Sequence, residues 1–153
     1  MVNSYDGYKH EMGFDNEYEG RLYTLDIRNR TEVALENLSI ECRFFYTVEK
    51  RWRTLKSKTV EKLEYEQCSL SSDVDAGEKL QLQTEPFIIN SWELQSGVFK
   101  MNGDPEVVES SEEGLWVKVS YTTPDGDTIT RDFCDPSSLS SRVNWEEKTA
   151  SAD

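Results

Sequence analysis

The sequence predicts an all-β chain folded as a two-sheet antiparallel sandwich. Three observations carry that expectation. Apolar and polar residues alternate with a period of two in short runs between residues 21 and 145. Turn residues separate the runs, and about seven to eight such strands suit a sandwich of this length. No window longer than about ten residues carries a helical stripe. A closed barrel satisfies the same alternation and is the second architecture the pattern allows.

The elements follow in order. The stretch 22–29 reads as a strand with Leu25 and Ile27 on one face, and Asn29-Arg30-Thr31 and Glu36-Asn37 read as turns. From Leu38 to Val48 the even positions carry Leu38, Ile40, Cys42, Phe44, Tyr46 and Val48, and Phe45 is the one apolar residue on the other face. Leu80 and Leu82 alternate after the turn at Asp75-Ala76-Gly77, and Phe87 and Ile89 follow Pro86, which marks an edge or a kink. Leu115, Val117, Val119 and Tyr121 share a face, with Trp116, Lys118 and Ser120 opposite. Pro124-Asp125-Gly126-Asp127 supplies a hairpin turn, and Ile129, Arg131 and Phe133 line the returning strand. Residues 90–114 are irregular and are expected to hide a further strand near 97–101.

Three segments result. Residues 1–20 are acidic and aromatic; Tyr5, Tyr8, Phe14 and Tyr18 either cover a sheet edge or sit in a linker. Residues 21–145 form the β domain, and residues 146–153 a frayed polar tail. The 153 residues hold 30 Asp+Glu against 17 Lys+Arg, for a formal charge of -13. Such a chain repels phosphates, so nucleic acid is not the expected partner. No apolar run approaches the roughly 18 residues that span a bilayer. The first twenty residues lack the basic and apolar regions of a signal peptide.

One segment inverts the charge. Residues 50–62, KRWRTLKSKTVEK, carry six basic residues and one acid, leaving -18 on the remaining 140 residues. With Trp52 interleaved, the segment reads as a hairpin that contacts an acidic partner through Arg51, Trp52, Arg53, Lys56 and Lys58. The competing explanations are lysines that guard a sheet edge and pairing with the protein's own acids. A carbohydrate-binding surface built on Trp52, Trp92 or Trp116 is the alternative function.

Other chemistry is weakly signalled. Asp73, Asp75 and Glu78, the acids of 104–113, and Asp125 with Asp127 offer oxygens for calcium, but none has the twelve-residue loop spacing. Turn formation and solubility explain them, and no cofactor is expected. Cys42, Cys68 and Cys134 are expected to be free thiols, with a single bridge as the alternative. His10, the one histidine, lies in an acidic segment without a neighbouring nucleophile, so no enzyme is expected. Asn29-Arg30-Thr31 and Asn37-Leu38-Ser39 match the glycosylation sequon and are read as turn residues.

The runs LSIECRFFY, LQTEPFIINSWELQSGVF, EGLWVKVSYTTPDGDTI and DPSSLSSRVNW occur in this order. Together they resemble an uncharacterised immunoglobulin-like domain of exported planctomycete and verrucomicrobial proteins. The matching positions are Leu38, Ile40, Arg43, Phe45, Tyr46, Thr84, Pro86, Gly114, Trp116–Val119, Asp125, Gly126, Pro136–Leu139 and Trp145. The resemblance implies an immunoglobulin-like sandwich in an extracytoplasmic setting. It carries no assigned activity, and the expected function is a non-catalytic interaction or spacer module for a protein or acidic polymer.

Overall fold

A computed structural model describes residues 2–11, 14–52, 58–94 and 105–145, with side chains over 16–52, 58–93 and 105–145. The chain runs through β1 (Val2–Glu11), β2 (Phe14–Arg28), β3 (Leu35–Trp52), β4 (Lys58–Val74), β5 (Lys79–Gln83), β6 (Phe87–Leu94), β7 (Val107–Thr122), β8 (Thr128–Asp135) and a one-turn helix, α1 (Leu139–Arg142). The all-β, antiparallel class is what the structure shows. The order β1-β2-β6-β7-β3-β4 is continuous, with β5 beside β2 and β8 beside β7. This sheet curls into a half-barrel, so the alternation expected to line two facing layers lines the inner face of one curved sheet.

β3 is the centre of the core because it is paired along both edges, with β4 and with β7. Its inward residues Leu38, Ile40, Cys42 and Phe44 meet Tyr23 and Leu25 of β2, Phe87 and Ile89 of β6, and Leu115 and Val117 of β7. Phe44 stacks on Phe87 with ring centroids 5.1 Å apart and planes 11° from parallel. Such a pair contributes about 0.5–1.5 kcal/mol beyond its area burial.

Phe45, the apolar residue on the wrong face for a one-sided strand, is fully buried as well. It packs with Leu139 and Val143, flanked by Leu63, Tyr65, Trp116 and Cys134. The segment 136–145 therefore covers the outer face of β3, β4 and β7. Trp145 meets Trp116 edge-on at 5.7 Å, and the Arg43 guanidinium lies 4.3 Å from the Trp145 ring and 4.4 Å from Tyr65. Arg43 also donates to the Trp145 carbonyl. Cys134, which the sequence places off the Ile129–Phe133 face, belongs to this second cluster.

Strand limits exceed the sequence reading at three places. β1 pairs antiparallel with the first part of β2, from Val2 opposite Tyr23 to Glu11 opposite Phe14. Backbone pairing satisfies the peptide groups of this segment without any side-chain period. β4 runs on to Val74, well past the hairpin read at 50–62. β7 begins at Val107, eight residues before its regular alternation. The expected strand near 97–101 and the tail 146–153 lie outside the described residues.

Two breaks shape the sheet. β5 and β6 both pair with β2, and Thr84-Glu85-Pro86 separates them, so Pro86 marks a kink. Across the gap the Thr84 amide donates to the Tyr23 carbonyl, and the Tyr23 amide donates to Thr84 Oγ1 at 3.1 Å. In β7 the register against β3 shifts between Phe45 and Tyr46: Phe45 faces Gly114, Tyr46 faces Glu112, and Glu113 is the extra residue. Gly114 has φ +145°, and its α-carbon lies so close to Asp135 that an added Cβ would stand 2.5 Å from the Asp135 carbonyl oxygen.

Asn29 is 1% exposed and ties three segments together. Its Nδ2 donates to the carbonyls of Val33 at 2.8 Å and Val74 at 3.2 Å, while Oδ1 accepts from the Thr31 amide and hydroxyl. Its backbone pairs with Gly77 and Glu78. Asn29 is thus the turn residue the sequence suggests, enclosed on every side. Asn29→Ala should cost about 2 kcal/mol, because the buried Val74 carbonyl loses its donor, while the Val33 carbonyl keeps the Thr31 hydroxyl. A urea-denaturation midpoint compared with that of the native chain measures the loss.

Candidate functional site

The candidate site lies at the C-terminal end of β3 and the N-terminal end of β4. Period-two alternation puts Val48, Lys50 and Trp52 on one face of β3. The register sets Val48 opposite Lys62, Lys50 opposite Val60, and Trp52 opposite Lys58. Every lysine on this face therefore stands across from an apolar partner, and the two kinds alternate along both strands. The Lys58 ammonium lies 5.3 Å from the Trp52 ring centroid.

A cleft of about 260 Å³ opens over this face, lined by Val48, Lys50, Trp52, Val60, Lys62, Glu64 and Pro105. Its floor is apolar and two of its walls are cationic. Glu64 closes the end nearer the core, where Tyr46 hydrogen-bonds it. Burial first, then the charges of Glu64 and Glu66, push the Tyr46 phenol well above its ordinary value, so it serves as a donor and stays neutral. Desolvation also raises the Glu66 carboxyl.

Further along the inner face, Glu112 accepts from the Tyr23 hydroxyl at 2.8 Å and from Arg21 Nε at 2.5 Å. Burial, reinforced by that carboxylate, raises the Tyr23 phenol as well. This trio fastens β2 to β7 through side chains where the two strands are not ladder partners.

The five expected contact residues divide. Trp52 and Lys58 meet on the cleft face. Arg51 points to the opposite face, where it forms ion pairs with Glu49 at 2.8 Å and with Glu109. Arg53 and Lys56 lie outside the described residues. Lys50 and Lys62 belong to the site although the expected set omits them. Alternation within KRWRT and KTVEK is the signal that finds them, once the two strands are set in register.

The acids at 73–78 serve turns, whereas Glu109, Glu112 and Glu113 of β7 pair with Arg51, Arg21 and Arg142. Asp73 accepts the Asn37 amide at 2.8 Å, and the Asp75 carbonyl accepts the Glu78 amide at 3.1 Å. Among the described residues no group of three or more His, Cys, Asp and Glu is placed to hold a metal ion. His10 falls on β1 opposite Asp15.

No protein-family model matches the chain, and no curated protein matches it. The site stands on its own geometry. Among the described residues no helix is long and apolar enough to cross a membrane.

Trp116 is committed elsewhere. Its ring packs on Phe45 and Trp145, and its indole N–H donates to Asp132 Oδ2 at 3.0 Å. Trp92 is half-buried beside a separate cleft of about 330 Å³, whose lining includes Glu17, Glu93 and Glu109.

Proposed function

We propose that this protein is a non-catalytic interaction module that seats an acidic polypeptide segment on the Lys50–Trp52–Lys58–Lys62 face. The cross-strand alternation of lysine with Trp52, Val60 and Val48 around the cleft supports the reading. Across the β3–β4 ladder each of these lysines faces an apolar residue, whereas Arg51 on the other face pairs with Glu49 and Glu109. An extended acidic segment would set its charges on the lysines and its carbon stems on the apolar squares between them. The surrounding acidic surface would repel the same segment everywhere else, which favours this one location.

The immunoglobulin-like classification and the extracytoplasmic setting belong to this reading as proposals. Their support is the sequence resemblance and a core in which residues of β2, β5 and β6 meet those of β3, β4 and β7. The carbohydrate-binding alternative has less support, because Trp116 is packed beneath Trp145.

Titration with poly-L-glutamate, followed by tryptophan fluorescence, tests the proposal. Binding is expected at low salt and is expected to fade near 0.5 M salt, where screening lengths fall to roughly 4–5 Å. The triple variant Lys50→Glu/Lys58→Glu/Lys62→Glu should weaken binding by about tenfold or more, whereas Arg51→Glu should change it by no more than about twofold. Equal losses in both variants, or no binding at low salt, would remove the site. Saturable binding of an uncharged β-glucan instead would favour the carbohydrate reading.

A further inference from the structure

We propose that Cys42 and Cys68 are a modification site: a dithiol that accepts an oxidising small-molecule disulfide and closes into a reversible cross-strand bridge between β3 and β4. The proposal is independent of the binding face. Cys42 and Cys68 are direct partners in the β3–β4 register. Both thiols are free, and both belong to the same core cluster, so their side chains leave the sheet on the same face. Directly opposed residues of an antiparallel pair hold their α-carbons about 4.5–5.5 Å apart, within the span of a disulfide. Their β-carbons, about 4.5–5.5 Å apart, must draw in by up to about 1 Å. β4 permits that movement, since β3 is its one ladder partner among the described residues.

The two sulfurs have different parts. Cys42 is fully enclosed, whereas Cys68 retains 7% of its exposure on the edge strand. Cys68 is therefore the entry point. Its thiol loses its proton and attacks one sulfur of the external disulfide, breaking that S–S bond. One small thiolate leaves and takes up a proton, and Cys68 holds a mixed disulfide. Cys42 then loses its proton and attacks the Cys68 sulfur; the protein S–S bond forms and the second small thiol departs. Two electrons pass from the protein dithiol to the external disulfide, which ends as two thiols. Burial, with the neighbouring Cys68, pushes the Cys42 thiol up to about 12, so the closing step accelerates as pH rises toward that value. Cys134 stands on the outer face against Phe45 and Leu139 and takes no part.

The experiment equilibrates the whole chain with oxidised glutathione, both in native buffer and by refolding from urea in the same redox mixture. Intact mass after alkylation in denaturant, with peptide mapping, reads the outcome. The expected product has lost about 2 Da, carries one alkylated thiol at Cys134, and reverts with excess reduced glutathione. Cys134→Ser should form the same bridge, and Cys68→Ser should form none. Amide exchange in β4 should slow in the bridged form, because the edge strand is then held covalently. Three alkylated thiols after refolding, a stable glutathione adduct on Cys68, or any bridge that includes Cys134 would overturn the proposal.

Discussion

Replacing Phe44 by alanine is expected to cost about 3–5 kcal/mol, the largest loss of any single truncation in this core. The ring has no exposed surface and touches aromatic partners in three strands. Phe87 stacks on it at 5.1 Å, Tyr46 at 6.1 Å, and Tyr23 meets it tilted at 6.3 Å. Those neighbours are held by ladders on β6, β3 and β2, so they cannot all collapse into the void. Phe44→Leu keeps most of the volume and should cost about 1.5 kcal/mol. Equilibrium urea unfolding of both variants checks the pair. The midpoints should fall in that order with unchanged slopes, and similar losses for both would mean that the cavity is not what matters.

Gly114→Ala is expected to destabilise by about 3 kcal/mol although it adds a single methyl group. Two causes combine. The φ of +145° is one that a side chain resists, and the new Cβ would stand 2.5 Å from the Asp135 carbonyl oxygen and 2.8 Å from Pro136 Cδ. Relief requires β8 to move away from β7, and that would lift the segment 136–145 from Phe45. Gly126→Ala provides the control: it has φ +90° but nothing within 4 Å, so it should lose only the backbone part. A thermal melt of the two variants separates strain from collision. Equal shifts would assign the whole effect to φ.

How far the residues announce this structure depends on which faces are covered. β3 is legible because Leu38, Ile40, Cys42 and Phe44 sit over one core and polar residues fall between them. β4 is illegible because both of its faces are partly used. Cys68 and Val74 turn to the inner core, while Leu63 and Tyr65 pack under the segment 136–145. The apolar residues thus occupy odd and even positions, and no period survives. In β7 the extra residue Glu113 reverses parity, so Glu112 and Leu115 share the inner face and the strand reads as two unrelated pieces. The candidate site was half legible. Charge inversion in 50–62 located the hairpin end, but local composition could not separate Arg51 from Lys50. Sorting them needed the strand register and the position of Glu109 on β7.

The closing contact of Arg43 with Trp145 joins residues 102 positions apart, and the ladders of β3 with β7 and of β2 with β6 also span distant stretches. During vectorial synthesis, β3 would leave the ribosome long before the partners that shield its two faces. The nascent polypeptide must therefore hold an unshielded apolar ribbon for several seconds at ordinary elongation rates of about 5–20 residues per second. Such non-local pairing places the protein among the slow-folding, aggregation-exposed all-β chains.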